Sequence, residues 1–225
     1  MSFELVVARY NENLNWLRRV TREFRITVYD KSTPPAPNAI PLPNIGREAQ
    51  TYLHHIVARY ETLADLTVFC QGRPFDHAFD FHHTLRALSA GEMRVENFHW
   101  LGHSADTDSC EGVLFQTWSK NAAGRALELC EFYRALFDDC GPTEYSFFLG
   151  GQFIVGRARI LRREKVFYQN ALQLSENFHD AAHCFERMWD RVFGDEASTL
   201  ARMDGEKTLY FKPVRRLLNE DGAIS

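Results

Sequence analysis

No apolar run in this chain approaches the roughly 18 to 20 residues that a membrane-spanning helix needs, so no membrane span is expected. Residues 3–8 enter a strand-like pattern with neither a cationic region nor a small-residue cleavage site, and the expectation is a cytoplasmic protein. Cysteine is sparse. The five thiols of Cys70, Cys110, Cys130, Cys140 and Cys184 lie far apart, are odd in number and form no CxxC pair. That excludes a disulfide framework or zinc ribbon and leaves reduced, mostly buried thiols. The chain also lacks a serine elbow, a GxxxxGK[ST] loop and an HExxH motif, so hydrolase, kinase and metalloprotease chemistries lose their usual support. No internal repeat of about 20 to 50 residues is present.

Excess positive charge is missing too. A net charge of −4 argues against a nucleic-acid binder, which normally presents a clustered basic face. The basic residues that do cluster, within 157–165 and at Arg215 and Arg216, alternate with apolar ones at helical spacing and read as solvated helix faces. What the chain does have is 225 residues at globular-average hydrophobicity, 45%, and charge, 25%. One α/β domain over 1–225 is the expectation.

The opening FELVVARY is a continuous apolar run that suits a strand buried on both faces. Leu14, Leu17, Val20 and Phe24 then recur at helical spacing behind Asn11 or Asn13 as possible caps, and ITVYDK reads as a second strand. A right-handed β-α-β unit is thus expected within the first 31 residues. Residues 32–44 carry five of the eight prolines and must run as an extended surface loop. Asn44 is placed to cap a helix over 47–60 with Ala49, Leu53, Ile56, Val57 and Tyr60 inward, and LTVFCQG follows as a third buried strand. Beyond Pro74 the pattern weakens to a short helix near 84–88 and a glycine-containing loop over 101–112. A helix over 121–137, strand–glycine bend–strand in YSFFLGGQFIVG, and helices over 160–175 and 179–193 complete the reading.

Strands alternating with helices imply a mostly parallel, mixed sheet flanked by helices, which binds ligands outside the carboxyl ends of its strands. The segments at those ends are Arg9, Tyr10, Asn11 and Glu12 after the first strand, and Gln71, Gly72, Arg73, Pro74, Phe75, Asp76 and His77 after the third. Gly46 precedes a helix whose first turn holds Arg47 and Glu48, a position suited either to an anion or to plain capping. Asp76, His77, Asp80, His82 and His83 crowd into eight positions, a composition for a divalent metal or for a polar pocket wall. The triplet Asp106, Thr107 and Asp108 reads as a solvated loop. His179, His183 and Glu186 fall at i, i+4 and i+7 on one helix face. Glu186, at the edge of an apolar stripe, is a candidate general base, or else a surface carboxylate pairing with Arg187 or Arg191. Phe75, Phe79 and Trp100 are candidates for a non-catalytic glycan or peptide platform.

The segments VVARYNENLNWL, PNIGREAQTYLHHIVARYETLADLTVFCQGRPFDH, GGQFIVGRARILRREKVFY and HCFERMWDRVFG, spread over residues 6–194, resemble the family called domain of unknown function 3431. That family is in turn similar to the glycosyltransferase A superfamily, and NIGRE is similar to an N-x-G-R-[DE] element of rhamnan-synthesis-type transferases. The resemblance implies a Rossmann-like domain and a nucleotide-sugar donor. It places Arg9 and Asn11 near the nucleotide, Asn44, Gly46 and Arg47 in the donor pocket, and Glu186 as the acceptor's base. Asp76 and His77 stand where a DxD would hold manganese or magnesium. The sequence departs there, since QGRPFDH replaces DxD and only Asp76 matches in type.

Overall fold

The run FELVVAR forms β1 (Phe3–Arg9), with residues 4–7 buried because the strand is covered on both faces. In the computed structural model, which describes residues 1–112 and 126–211, β1 lies parallel to β2 (Phe24–Asp30) on one side. The proline-rich segment contributes only the two-residue edge strand β3 (Ile40–Pro41), paired parallel to β2. An edge is where proline, lacking an N–H, is tolerated. Helix α1 (Arg47–Arg59) crosses back, and β4 (Leu66–Gln71) pairs parallel to β1 on its other side.

After α2 (Phe81–Ala90) come β5 (Phe98–Leu101) and β6 (Ser104–Ser109), then α3 (Leu129–Phe137), β7 (Glu144–Phe148) and β8 (Gln152–Gly156). The strand–bend–strand reading of YSFFLGGQFIVG holds, but the two strands are not a hairpin. β8 pairs antiparallel with β4 and β5 in a six-stranded mixed sheet ordered β3-β2-β1-β4-β8-β5. β7 joins β6 and β9 (Leu209–Tyr210) in a separate antiparallel sheet. Helices α4 (Arg157–Ile160), α5 (Lys165–Asn177), α6 (Ala181–Glu186), α7 (Trp189–Val192) and α8 (Glu196–Met203) fill the C-terminal part. Among the described residues no helix is long and apolar enough to cross a membrane.

Alternation along the strands divides the core. Val6, Phe69 and Phe153 pack against Ala49, Tyr52, Leu53 and Ile56 of α1 and against Phe185, Met188 and Trp189. Leu5, Val7, Val68 and Cys70 face Phe81, Leu85 and Leu88 of α2. Phe153 is the hub, with ring centroids of Trp189, Phe69, Phe193 and Phe98 at 5.0, 5.2, 5.3 and 5.4 Å.

Several expectations are corrected. The crossover between β1 and β2 is one 3-10 turn, Asn15–Arg19, and not a helix over residues 14–24. Phe24 belongs to the strand, where it is buried, and Asn13 accepts the Asn15 N–H at the start of the turn. Leu14, Trp16, Leu17 and Val20 dock this irregular crossover on the α2 side of the sheet, so helical spacing reported a docking face. The 101–112 loop contains strand β6, and its Asp106-Thr107-Asp108 triplet is not a solvated loop: Asp108 is buried against Arg187 Nε at 2.8 Å. The helix over 160–175 breaks at 161–164, where Arg163 turns to donate to the carbonyls of Val192 and Arg191. The helix over 179–193 breaks at Arg187, whose guanidinium turns inward to Asp108. The basic run 157–165 is likewise not all solvated, for Arg159 is buried on Asp195 at 2.8 Å. The first residues of the helix expected over 121–137, and Arg215 and Arg216, lie outside the described residues; α3 covers the later part of that helix.

Candidate active site at the carboxyl edge of the sheet

From β1 the sheet grows first through β2 to β3, then on the opposite side through β4, so strand order reverses between β1 and β4. At such a reversal the connections leave in opposite directions and open a crevice beyond the strand ends. A cleft of ≈ 220 Å³ lies there. Arg9, Tyr10 and Glu12 line it after β1, Lys31 after β2, Asn44, Arg47 and Glu48 at the entrance to α1, and Gln71 at the end of β4.

The turn after β1 is closed by its own side chains. Arg9 Nε donates to the Glu12 carbonyl at 2.9 Å, Glu12 Oε2 accepts the Tyr10 N–H at 2.5 Å, and Asn11 takes a left-handed φ of 68° at the exposed tip. Asn11 therefore shapes the turn and does not line the cleft. Gly72 passes so close that a Cβ would meet Glu12 Oε2 at 2.6 Å. The Arg9 guanidinium pairs with Asp30, which is fully buried at the end of β2. Burial would raise the Asp30 pKa, but hydrogen bonds from the backbone of Ala36 and Ser32, the Ser32 hydroxyl and Arg9 hold it below the usual range.

The cap position of α1 is Gly46 and not Asn44. Its φ is +60°, and a Cβ would strike Ser175 O at 2.5 Å, so Gly46 serves the approach of α1 to α5 and not the cleft wall. The anion position at this helix end is held by Glu48, whose carboxylate accepts its own backbone N–H. Burial raises the Glu48 pKa, Arg47 and that N–H oppose the rise, and the Glu186 carboxylate adds to it. Lys31 reaches under the same turn and donates to the carbonyls of Ile45 and Arg47. Its side chain is buried, and burial pulls its pKa down to about 8.

Glu186 ends α6 and accepts the Gly150 N–H at 2.6 Å. Burial raises its pKa against the pull of Arg187, this N–H and Arg47. Glu186 does not itself line the cleft but interacts through space with Glu48 and Arg47, which do. Gly150 has φ +95° and packs on His77, whose Cγ would lie 2.3 Å from an added Cβ. Its carbonyl accepts from Gln71 Nε2 at 2.9 Å, which ties the end of β4 to the Glu186 support. Burial lowers the His77 pKa, with Asp76 and Glu48 opposing and His103 adding.

Other candidates fall away from the cleft. Arg73 and Asp76 pair with each other at 3.0 Å, their side chains 72% and 53% exposed. Neither lines the cleft, and no group of three His, Cys, Asp or Glu side chains among the described residues could hold a metal ion. Asp76 is paired with Arg73 and lies outside the cleft, so it presents no free carboxylate there for a manganese or magnesium ion. The His179–His183–Glu186 row is not formed: α6 begins only at Ala181, and His179 is exposed beside Asp180 at 2.9 Å. His183 Nε2 instead meets Arg47 Nη1 at 3.1 Å. The aromatic platform is not formed either, because Trp100 is a core residue and Phe75 packs against Trp16 and His82.

A family model described as a protein of unknown function (DUF3431) matches residues 5–205, nearly the whole chain. The chain belongs to that family. No curated protein matches it. In this DUF3431 chain, sequence reasoning passed over Asp30, which anchors Arg9, and Lys31, which reaches the cleft floor. Asp30 and Lys31 close the expected ITVYDK strand just before the proline-rich segment, and that strand pattern alone gave neither residue a role in the cleft.

Proposed function

We propose that this chain is a glycosyltransferase-like enzyme that binds a nucleotide-sugar donor across the carboxyl ends of β1, β2 and β4, on a Rossmann-like sheet of the glycosyltransferase A kind. The observation that carries the reading is the position of the cleft at the reversal of strand order, where parallel strands in the order β3-β2-β1-β4 receive nucleotides. A second cavity of ≈ 520 Å³ shares Arg9 and Glu12 with the first, and its walls are largely apolar, with Leu14, Leu17, Ile26, Val28 and Pro37. The two together have the size of a site for a nucleotide-sized ligand. The apolar part suits a base, and the charged part suits a diphosphate and sugar.

Glu186 supplies the base. A carboxylate whose pKa is raised toward neutrality, yet whose orientation is fixed by the Gly150 N–H, is fitted to take a proton from an acceptor hydroxyl. The hydroxyl oxygen then bonds to the anomeric carbon as the nucleoside diphosphate leaves. Arg47, between Glu48 and His183, orients the polar part of the donor.

The test is turnover. Untagged protein incubated with a panel of nucleotide sugars is expected to release nucleoside diphosphate from one of them. Glu186→Gln is expected to bind that donor as well as the parent while losing about 100-fold or more of the turnover. Equal turnover in both proteins removes Glu186 from the mechanism, and no donor bound or consumed removes the reading.

A further inference from the structure

Folded proteins keep buried charges paired, because an ion taken out of water without a counter-ion is costly. Four buried ions among the described residues follow that rule: Glu4 meets Arg25, Asp30 meets Arg9, Arg159 meets Asp195 and Arg187 meets Asp108. Lys31 departs from it. Only 6% exposed, it forms no ion pair with any carboxylate among the described residues; its partners are two backbone carbonyls. An ammonium carries three N–H donors, so one is left over, and Lys31 lines the ≈ 220 Å³ cleft.

We propose that Lys31 is the protein's own counter-charge for a phosphoanion, so that the diphosphate of a ligand is held in this cleft without a divalent metal. The substrate class rests on the transferase reading above, but the anion site does not.

The other cations along the cleft do not compete for this role. Arg9 is neutralised by Asp30, and Arg47 is 61% exposed at the rim, beside Glu48 at 3.8 Å. Glu48 and Glu176 act on Lys31 only through space. Where a metal-binding acidic pair would stand, Asp76 faces solvent and is matched by Arg73. Burial already draws the Lys31 pKa down to about 8, the mark of a cation short of negative charge. A phosphate oxygen accepting its third N–H supplies that charge, and Arg47 closes on the same anion from the rim.

The experiment is calorimetric titration of untagged protein with inorganic pyrophosphate in EDTA, for the parent and for Lys31→Met, followed by nucleoside diphosphates and nucleotide sugars with EDTA or with manganese. The parent is expected to bind pyrophosphate in EDTA, and Lys31→Met to bind it about tenfold or more weakly, as loss of a charged hydrogen bond implies. Should the variant not fold, reductive methylation of the parent followed by peptide mass spectrometry gives the same answer: pyrophosphate is expected to shield Lys31 at least severalfold. Absence of pyrophosphate binding in EDTA, unchanged affinity in the variant, or an unshielded Lys31 overturns the proposal. Nucleoside diphosphates that bind only with manganese also overturn it while leaving the transferase reading standing. Pyrophosphate binding that depends on Lys31, with no response to any nucleotide or nucleotide sugar, supports the anion site and removes the transferase reading.

Discussion

The amino ends of β1 and β2 and the cleft beyond their carboxyl ends handle buried charge in opposite ways. Toward the amino ends, Glu4 is completely buried, yet Thr27 Oγ1 donates to it at 2.7 Å, Arg25 pairs with it, and His55 Nε2 stands 3.6 Å away. His55 Nδ1 in turn meets the Tyr29 hydroxyl at 3.1 Å. Burial alone would raise the Glu4 pKa, but the nearby His55, the Arg25 guanidinium and the Thr27 hydroxyl outweigh it and bring it down to about 2. Toward the carboxyl ends Asp30 is matched by Arg9 in the same way, but at the groups around the cleft burial prevails: Lys31 falls to about 8, and Glu48 and Glu186 rise, each toward its neutral form. Glu4 has its counter-ion in Arg25 without a ligand, whereas Lys31 has no counter-ion among the described residues. A structural ion network shifts pKa values toward the charged form, whereas an incomplete one shifts them away, which is the pattern of sites awaiting a substrate. Displacement alone does not make a site. Burial also raises Asp190 to about 7, with Thr199 opposing, but Asp190 lines neither cavity.

The comparison breaks most readily at Glu4. Glu4→Gln leaves His55 and Thr27 with a weaker acceptor and is expected to cost about 2 to 3 kcal/mol in urea unfolding, less than a fully enclosed pair because Arg25 reaches water. The pH dependence has a definite sign. The folded pKa of Glu4 lies below its unfolded value, so its contribution is present above about pH 4.5 and is lost as pH falls toward about 2; the variant should lack that component of acid loss. A cost near zero for Glu4→Gln would erase the contrast.

Next in size is Gly150→Ala. It combines a backbone φ of +95° with a Cβ placed 2.3 Å from His77 Cγ, and about 2 to 3 kcal/mol of destabilisation is expected, measured by thermal unfolding. Gly194→Ala, at φ +64° with no atom within 4 Å of the new Cβ, should cost about 1 kcal/mol, so the difference isolates the His77 contact.

The smallest stability changes are expected at the cleft. Glu186→Gln and Lys31→Met replace groups that already lean toward neutrality, and each should move unfolding stability by less than about 1 kcal/mol while depressing turnover or anion binding. A loss as large as that of Glu4→Gln would mean that these charges are satisfied inside the fold and would sharpen the comparison against the cleft.

The scaffold was legible where pattern and burial coincide. FELVVAR and LTVFCQ are continuous apolar runs, and α1 carries its inward residues at helical spacing, so strands β1 and β4 and the helix between them follow from the residues alone. SADTDS was illegible as a strand because its pairing rests on polar contacts made far along the chain, Thr107 with Ser146 at 2.9 Å and Asp108 with Arg187. The break of the last helices at Arg187 has the same origin. Around the cleft, the strand-end rule pointed to Arg9, Tyr10, Glu12 and Gln71, the helix-entrance reading to Arg47 and Glu48, and the family resemblance to Asn44, whereas Lys31 needed the turn at residues 45–47 to fold over it before its burial existed at all.

We propose that the cleft at the reversal between β1 and β4 receives a nucleotide-sugar. The most direct measurement is a melting-temperature screen of untagged protein, and of Arg47→Ala, against nucleotide sugars and nucleoside diphosphates, each with EDTA, magnesium or manganese. A rise of several degrees with one nucleotide family, reduced in Arg47→Ala, is the result expected if the ligand binds the folded cleft. No shift with any nucleotide under any condition, or an equal shift in both proteins, would contradict it.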